Sequence, residues 1–173
     1  MRFFVNKRSP ALSLVVLLAT PLAAAENAPT VAEQLAGMQQ QCADTELARS
    51  ERHAATALYD RLGGYERIHA LTREIIRLHL ENDAIRHMFE PIDTAALAKH
   101  VADFMAAGTG GSESYTGRAM GPAHAHLGLT DADFLAAGGD IVKAMQNLGH
   151  GQEEIDEVVC ILVSLKDQVI PQS

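Results

Sequence analysis

Two of the eight histidines in this sequence sit where an imidazole would face the inside of a helix bundle. His100 follows Leu97 by three residues, precedes Phe104 by four and has Val101 beside it. At about 100° per residue these four side chains share one stripe of a helix. His124 stands four after Met120 and three before Leu127, a second stripe of the same kind. A histidine on an apolar face is most simply a core residue whose ring bonds to a backbone carbonyl. A pair of them on two helices, with aliphatic and aromatic neighbours and few carboxylates close by, also suits a flat apolar cofactor whose metal takes axial imidazoles. Bare zinc suits them poorly, since it asks for four close ligands such as Cys or Asp. Spacing alone leaves both readings open.

The elements that must position these rings read as helices throughout. Thr30 with Glu33 is a capping box, opening a polar helix through about Arg52 with a thin apolar stripe at Val31, Leu35 and Met38. Leu58, Tyr59 and Leu62 precede a break at Gly63-Gly64. Ile68, Leu71, Ile75 and Leu78 then recur at three- and four-residue spacing up to Asn82-Asp83. A short piece around Ile85, Met88 and Phe89 ends at Pro91. Asp93 is an N-cap for the helix of His100, which the glycines 108, 110 and 111 stop, and a loop with Tyr115 and Gly117 leads to a short helix around Met120 and His124. Thr130 with Asp133 begins a helix through Phe134, Leu135, Ile141, Val142, Met145 and Leu148 that Gly149 closes. Ile155, Val158, Val159, Leu162 and Leu165 mark the last helix. No segment alternates with period two for long enough to make a strand, so the fold class is all-α.

The chain has 173 residues, 47% of them hydrophobic, which is enough for one domain with a real core. A net charge of -8 argues against a phosphate-binding groove, so nucleic acid is not an expected partner. The charge is uneven. Residues 1–25 carry Arg2, Lys7 and Arg8 with no acid, then an apolar run over 11–19, then Pro21 and Leu22-Ala23-Ala24-Ala25. A basic head, a short apolar middle and a small-residue end are the parts of a secretory signal peptide, with cleavage expected between Ala25 and Glu26. The run is shorter than the roughly 20 residues a bilayer span needs, so no stable membrane anchor is expected and the product is read as periplasmic or secreted. In an oxidising compartment Cys42 and Cys160 either pair, tying the N-terminal segment to the last helix, or remain free thiols. There is no C-x-x-C-H motif for covalent haem attachment.

A set of motifs in fixed order now carries a resemblance. They are Leu58-Tyr59-Asp60-Arg61-Leu62-Gly63-Gly64, Met88-Phe89, Gly110-Gly111, Tyr115-Thr116-Gly117-Arg118-Ala119-Met120, Gly121-Pro122-Ala123-His124, Leu127-Gly128-Leu129-Thr130 and Phe134. Residues 58–169 resemble a truncated haemoglobin of the first group. With the signal peptide over 1–25, this divides the chain into a helical extension over 26–57 and a globin domain over 58–173. That domain is expected to be a two-over-two helical sandwich around haem b, with an extra N-terminal helix in front of it. The histidine four after the signature Met120 is the family's proximal ligand, here His124. Phe89 falls on the aromatic that packs against haem after the second helix, Phe104 on a haem-facing position of the distal helix, and Tyr115 where the loop approaches the propionates.

The departures from the family matter as much. Many members place Tyr and Gln over the iron to hydrogen-bond oxygen, whereas the corresponding positions here are Ile76, Leu97 and Val101. His100 is the polar side chain on that wall, at a position that supplies a second iron ligand in some cyanobacterial members. The resemblance therefore predicts a bis-His haem in the absence of gas, against the alternative that His100 turns to the propionates or solvent. His126 lies roughly 200° around from His124 and is read as a surface residue. His87 is read as solvent-facing, and Asp167 stands where some relatives link haem covalently through a histidine, so that linkage is not expected. Three functions compete: binding of a diatomic gas (O2, NO or CO), nitric oxide dioxygenase or peroxidase turnover with an unidentified electron donor, and electron transfer. An apolar distal wall favours NO or CO over oxygen, whose bound form carries negative charge.

Overall fold

The computed structural model describes residues 28–90 and 92–170, so the expected signal peptide over residues 1–25 lies outside the described residues. Among the described residues eight α-helices follow in order: α1 (Val31–Asp44), α2 (Glu46–Ala55), α3 (Leu58–Arg61), α4 (Gly64–Glu81), α5 (Thr94–Gly108), α6 (Met120–His124), α7 (Asp131–Asn147) and α8 (Gln152–Val169). One turn of 3-10 helix, Arg86–Phe89, stands between α4 and α5, and there is no strand among the described residues.

The local signals act where they were read. The Thr30 and Thr130 hydroxyls accept from the backbone N–H of Glu33 and Asp133, whose carboxylates accept in return from the cap N–H groups. Asp93 accepts from the N–H groups of Ala95 and Ala96 at 3.1 and 3.0 Å. Gly63 and Gly64 turn the chain into α4 at φ 93° and 75°, a region open mainly to glycine. A Cβ on Gly111 would lie 2.6 Å from the Tyr59 ring, so this glycine lets the end of α5 approach α3.

The polar helix expected to run from Thr30 to about Arg52 is instead two, broken at Thr45. The Thr45 hydroxyl bonds back to the Gln41 carbonyl at 2.8 Å, a contact that bends helices. Arg49 Nη2 donates to the Cys42 carbonyl at 2.7 Å and takes over an acceptor of the last turn of α1.

α4 packs on α5 and on α7, while α8 packs on α7 and on α6. Their shared core is Leu58, Leu62, Ile68, Leu71, Ile75, Leu78, Ala102, Ala106, Ala144, Met145, Ile155 and Val158. Thr72, fully buried, is satisfied by donating to the Ala98 carbonyl at 2.9 Å, which ties α4 to α5 inside that core.

α1 lies on α7 and α8 through the buried Leu35, and a disulfide between Cys42 and Cys160 joins it to α8. Glu157 of α8 is buried and answered by two guanidinium groups: Arg52 of α2 at 3.0 Å and Arg61 of α3. Arg61 also holds Glu154 at 2.8 Å. A buried carboxylate is tolerable only when paired in this way.

Candidate functional site

The α5 helix has two working faces. Ala98, Ala102 and Ala106 are its buried residues, and their small side chains bring its backbone close to α4. Leu97, Val101 and Phe104 are half-buried, roughly a third of a turn or more around from that stripe. Ile76 of α4 is buried.

His100, expected to point inward, is exposed. The reason is its azimuth: it stands at the outer margin of the Leu97, Val101 and Phe104 face, and the alanines rather than that face make the tight contact. Its neighbour Asp103 is held below the usual carboxylate range by the Lys99 ammonium at 2.7 Å and the Tyr65 hydroxyl at 2.7 Å.

The loop over residues 109–119 delivers Tyr115 to α5, where its ring meets Phe104 edge-on with centroids 5.2 Å apart. The Tyr115 hydroxyl donates to the Arg118 carbonyl at 2.7 Å, which folds the loop towards the start of α6. Helix α6 has five residues and rests on α8.

On α6, His124 is half-buried, with Nδ1 2.8 Å from the carbonyl oxygen of Met120. A carbonyl only accepts, so Nδ1 donates. The bond orients the ring and leaves Nε2 as the nitrogen available to a metal. Met120 is half-buried, whereas His126 and His87 are exposed, as read.

Half-buried apolar residues also run along α7 at Leu135 and Val142, with Gly138 on the same stripe. A Cβ on Gly138 would meet nothing within 4 Å. Val142 packs against the core from this stripe.

The residue that sequence reasoning passed over is His79. It is buried on α4, its Nδ1 lies 2.9 Å from Asp140 Oδ2 on α7, and its ring stacks on Phe89 with centroids 5.1 Å apart. The signal was present, for His79 stands four after Ile75 on the apolar stripe. Burial outweighs the Asp140 carboxylate and holds the imidazole below its ordinary 6.5. Below 6.5 the unfolded chain takes up a proton that the folded chain refuses, so stability falls as pH drops from 6.5 towards the depressed folded value. The wild-type Tm advantage over His79→Gln is therefore expected to narrow between about pH 7 and about pH 5 in thermal scans by circular dichroism. A gap that stays constant would contradict this.

Two packed helix pairs, α4 with α5 and α7 with α8, together with a carbonyl-tied histidine on a very short helix and a half-buried apolar face on α5, are the parts of the short, two-over-two form of the globin fold. The chain belongs to the bacterial-like globin family, whose model matches residues 57–170. It is similar to the group 1 truncated hemoglobin GlbN of Synechocystis, 29% identical over 110 residues that cover 61% of this chain and 89% of that protein. Among solved structures it matches the 2/2 hemoglobin of Synechococcus sp. PCC 7002, a cyanomet form with covalently attached heme, at TM-score 0.64 and 32% identity. That match covers 68% of this chain and all of that one. Truncated hemoglobin from Tetrahymena pyriformis in its Fe(III) form, 22% identical with TM-score 0.62 over the same 68% of this chain, shares the fold. Helices α1 and α2 precede the matched residues.

Proposed function

We propose that this protein is an exported truncated haemoglobin that holds haem b through His124 and reversibly binds a diatomic gas. The observation that carries the reading is the place of His124 inside the residues matched by the globin model, half-buried on the short helix α6, with Nδ1 tied to the Met120 carbonyl at 2.8 Å so that Nε2 is the nitrogen left for a metal. The residues fit the group in kind, since α5, α6 and α7 carry half-buried apolar side chains of the sort that line an apolar plate, with one oriented imidazole among them.

When bound, haem supplies an iron with one axial position for a small ligand. His124 holds the metal, and the Met120 carbonyl raises the basicity of its ring. Phe89, Phe104 and Tyr115 pack around the edge. Ile76, Leu97 and Val101 exclude water from the gas side and offer no hydrogen-bond donor, which favours NO and CO over oxygen. His100, exposed at the margin of that wall, is the reversible second ligand. Gas affinity is then scaled down by the fraction of molecules with His100 out. Export is supported by the disulfide, which suits an oxidising compartment.

The test is the absorption spectrum of the reduced, gas-free protein beside His100→Ala. Wild type is expected to be six-coordinate and low-spin, and the variant five-coordinate and high-spin with faster CO uptake in stopped flow. An unchanged spin state on mutation removes His100 from the iron, and the lack of a Soret band in protein titrated with haemin removes the haem reading. Nitrate formed on mixing the oxygenated protein with NO, in repeated turnover with an added reductant, would move the reading from gas binding to nitric oxide dioxygenase.

A further inference from the structure

An imidazole is an expensive way to fill a core. Burying it without a partner costs stability, and an aliphatic side chain would pack the same space more cheaply. His79 is nevertheless buried, and its surroundings fix the ring in orientation as well as in place. Nδ1 donates to Asp140 Oδ2 at 2.9 Å. The same oxygen accepts from Asn82 Nδ2 at 2.9 Å, while Asn82 Oδ1 accepts from the Ala84 N–H at 3.1 Å and so sets the orientation of the amide. One carboxylate on α7 thus holds the end of α4 and the bend that leads into the 3-10 turn. Of the groups packed on the ring, Asp140 on α7 carries charge, and Phe89 on the 3-10 turn does not. The ring presents its face to Phe89 at 5.1 Å and 30° between planes. Phe89 is covered on that side and still partly exposed.

We propose that His79 is a positioning residue: clamped by Asp140 and Asn82, its ring backs Phe89 and holds that side chain against the edge of the bound haem. This rests on the haem reading above. It assigns the His79–Asp140–Asn82 cluster, which touches neither the iron nor the gas, a role in how firmly the cofactor is kept. A leucine at position 79 would supply volume. The hydrogen-bonded imidazole supplies a flat surface at a fixed tilt.

The test is a double-mutant cycle in the full chain loaded with haem, reading the rate of haemin loss to an excess of an apoglobin acceptor. Asp140→Asn replaces the clamping acceptor without changing its size. It is expected to speed haemin loss about five-fold in the wild-type background and less than about two-fold in Phe89→Leu, because the route through Phe89 is already cut there. Asp140→Asn should also shift the haem methyl signals in the proton NMR spectrum of the ferric cyanide form. Equal factors in the two backgrounds, or no change in either, overturn the proposal while the haem reading stands. Should Asp140→Asn fail to fold, His79→Gln keeps a donor for Asp140, loses the ring face and enters the same cycle with the same expected factors. Wild-type protein that takes up no haem in the preliminary titration overturns the haem reading and this proposal together.

Discussion

Replacing His124 by glycine is expected to abolish tight haem binding and to be partly reversed by added imidazole. Losing a group that merely orients a metal ligand costs about 10–100-fold in affinity, so losing the ligand itself should cost at least about 100-fold. The cavity left by the side chain opens beside Met120, whose carbonyl bonds the native ring at 2.8 Å and would meet free imidazole in the same way. The experiment is a haemin titration followed at the Soret band, with and without imidazole. Circular dichroism should show the helices unchanged, since α6 has only five residues and contributes none to the core. A His124→Gly protein that keeps the wild-type spectrum and affinity would place the axial ligand elsewhere.

The second large effect belongs to the disulfide. Cys42 and Cys160 are 118 residues apart, so their bond removes a long loop's worth of freedom from the unfolded chain. A chain-entropy argument allows about 5 kcal/mol for such a loop, and measured bridges usually contribute about 2–4 kcal/mol. For a protein of this size that is a fall in Tm on the order of 10 °C on reduction. The Arg52 contact from α2 to Glu157 does not involve the bridge and is expected to keep part of the N-terminal attachment in place after reduction. Calorimetry with and without dithiothreitol checks the wild type. Cys42→Ser should start from the lower midpoint and show no response to the reductant. Equal midpoints for the oxidised and reduced wild type would remove the bridge from the account of stability.

What could be read from the sequence was what is local. The caps at Thr30, Asp93 and Thr130 are set by contacts within three residues, and all three act as expected. The stripe of His124 was legible for the same reason, since Met120 lies one turn away, while its reading as a ligand came from the family resemblance. His100 was not, since helical spacing gives the azimuth of a side chain but not which of two apolar faces makes the close contact. The small volume of Ala98, Ala102 and Ala106 settles that question, and only against α4. His79 needed a partner 61 residues away before its burial made sense. The break at Thr45 needed the Arg49 guanidinium to reach a carbonyl seven residues back. Pairing of the cysteines stayed open because spacing carries no information about contacts so distant.

The 118-residue separation of Cys42 and Cys160 also makes most of the chain a covalent ring, and helices α2 to α7 with the loop over residues 109–119 lie inside it. That loop exposes Ser112, Ser114, Thr116, Gly117, Arg118 and Ala119, the kind of segment a protease cuts first. A cut there would separate the strip of chain bearing Phe104 from the strip bearing His124, yet the two fragments would remain one molecule. They would run as a single species on a non-reducing gel and as two after reduction, with both sides of the cleft kept together between those events.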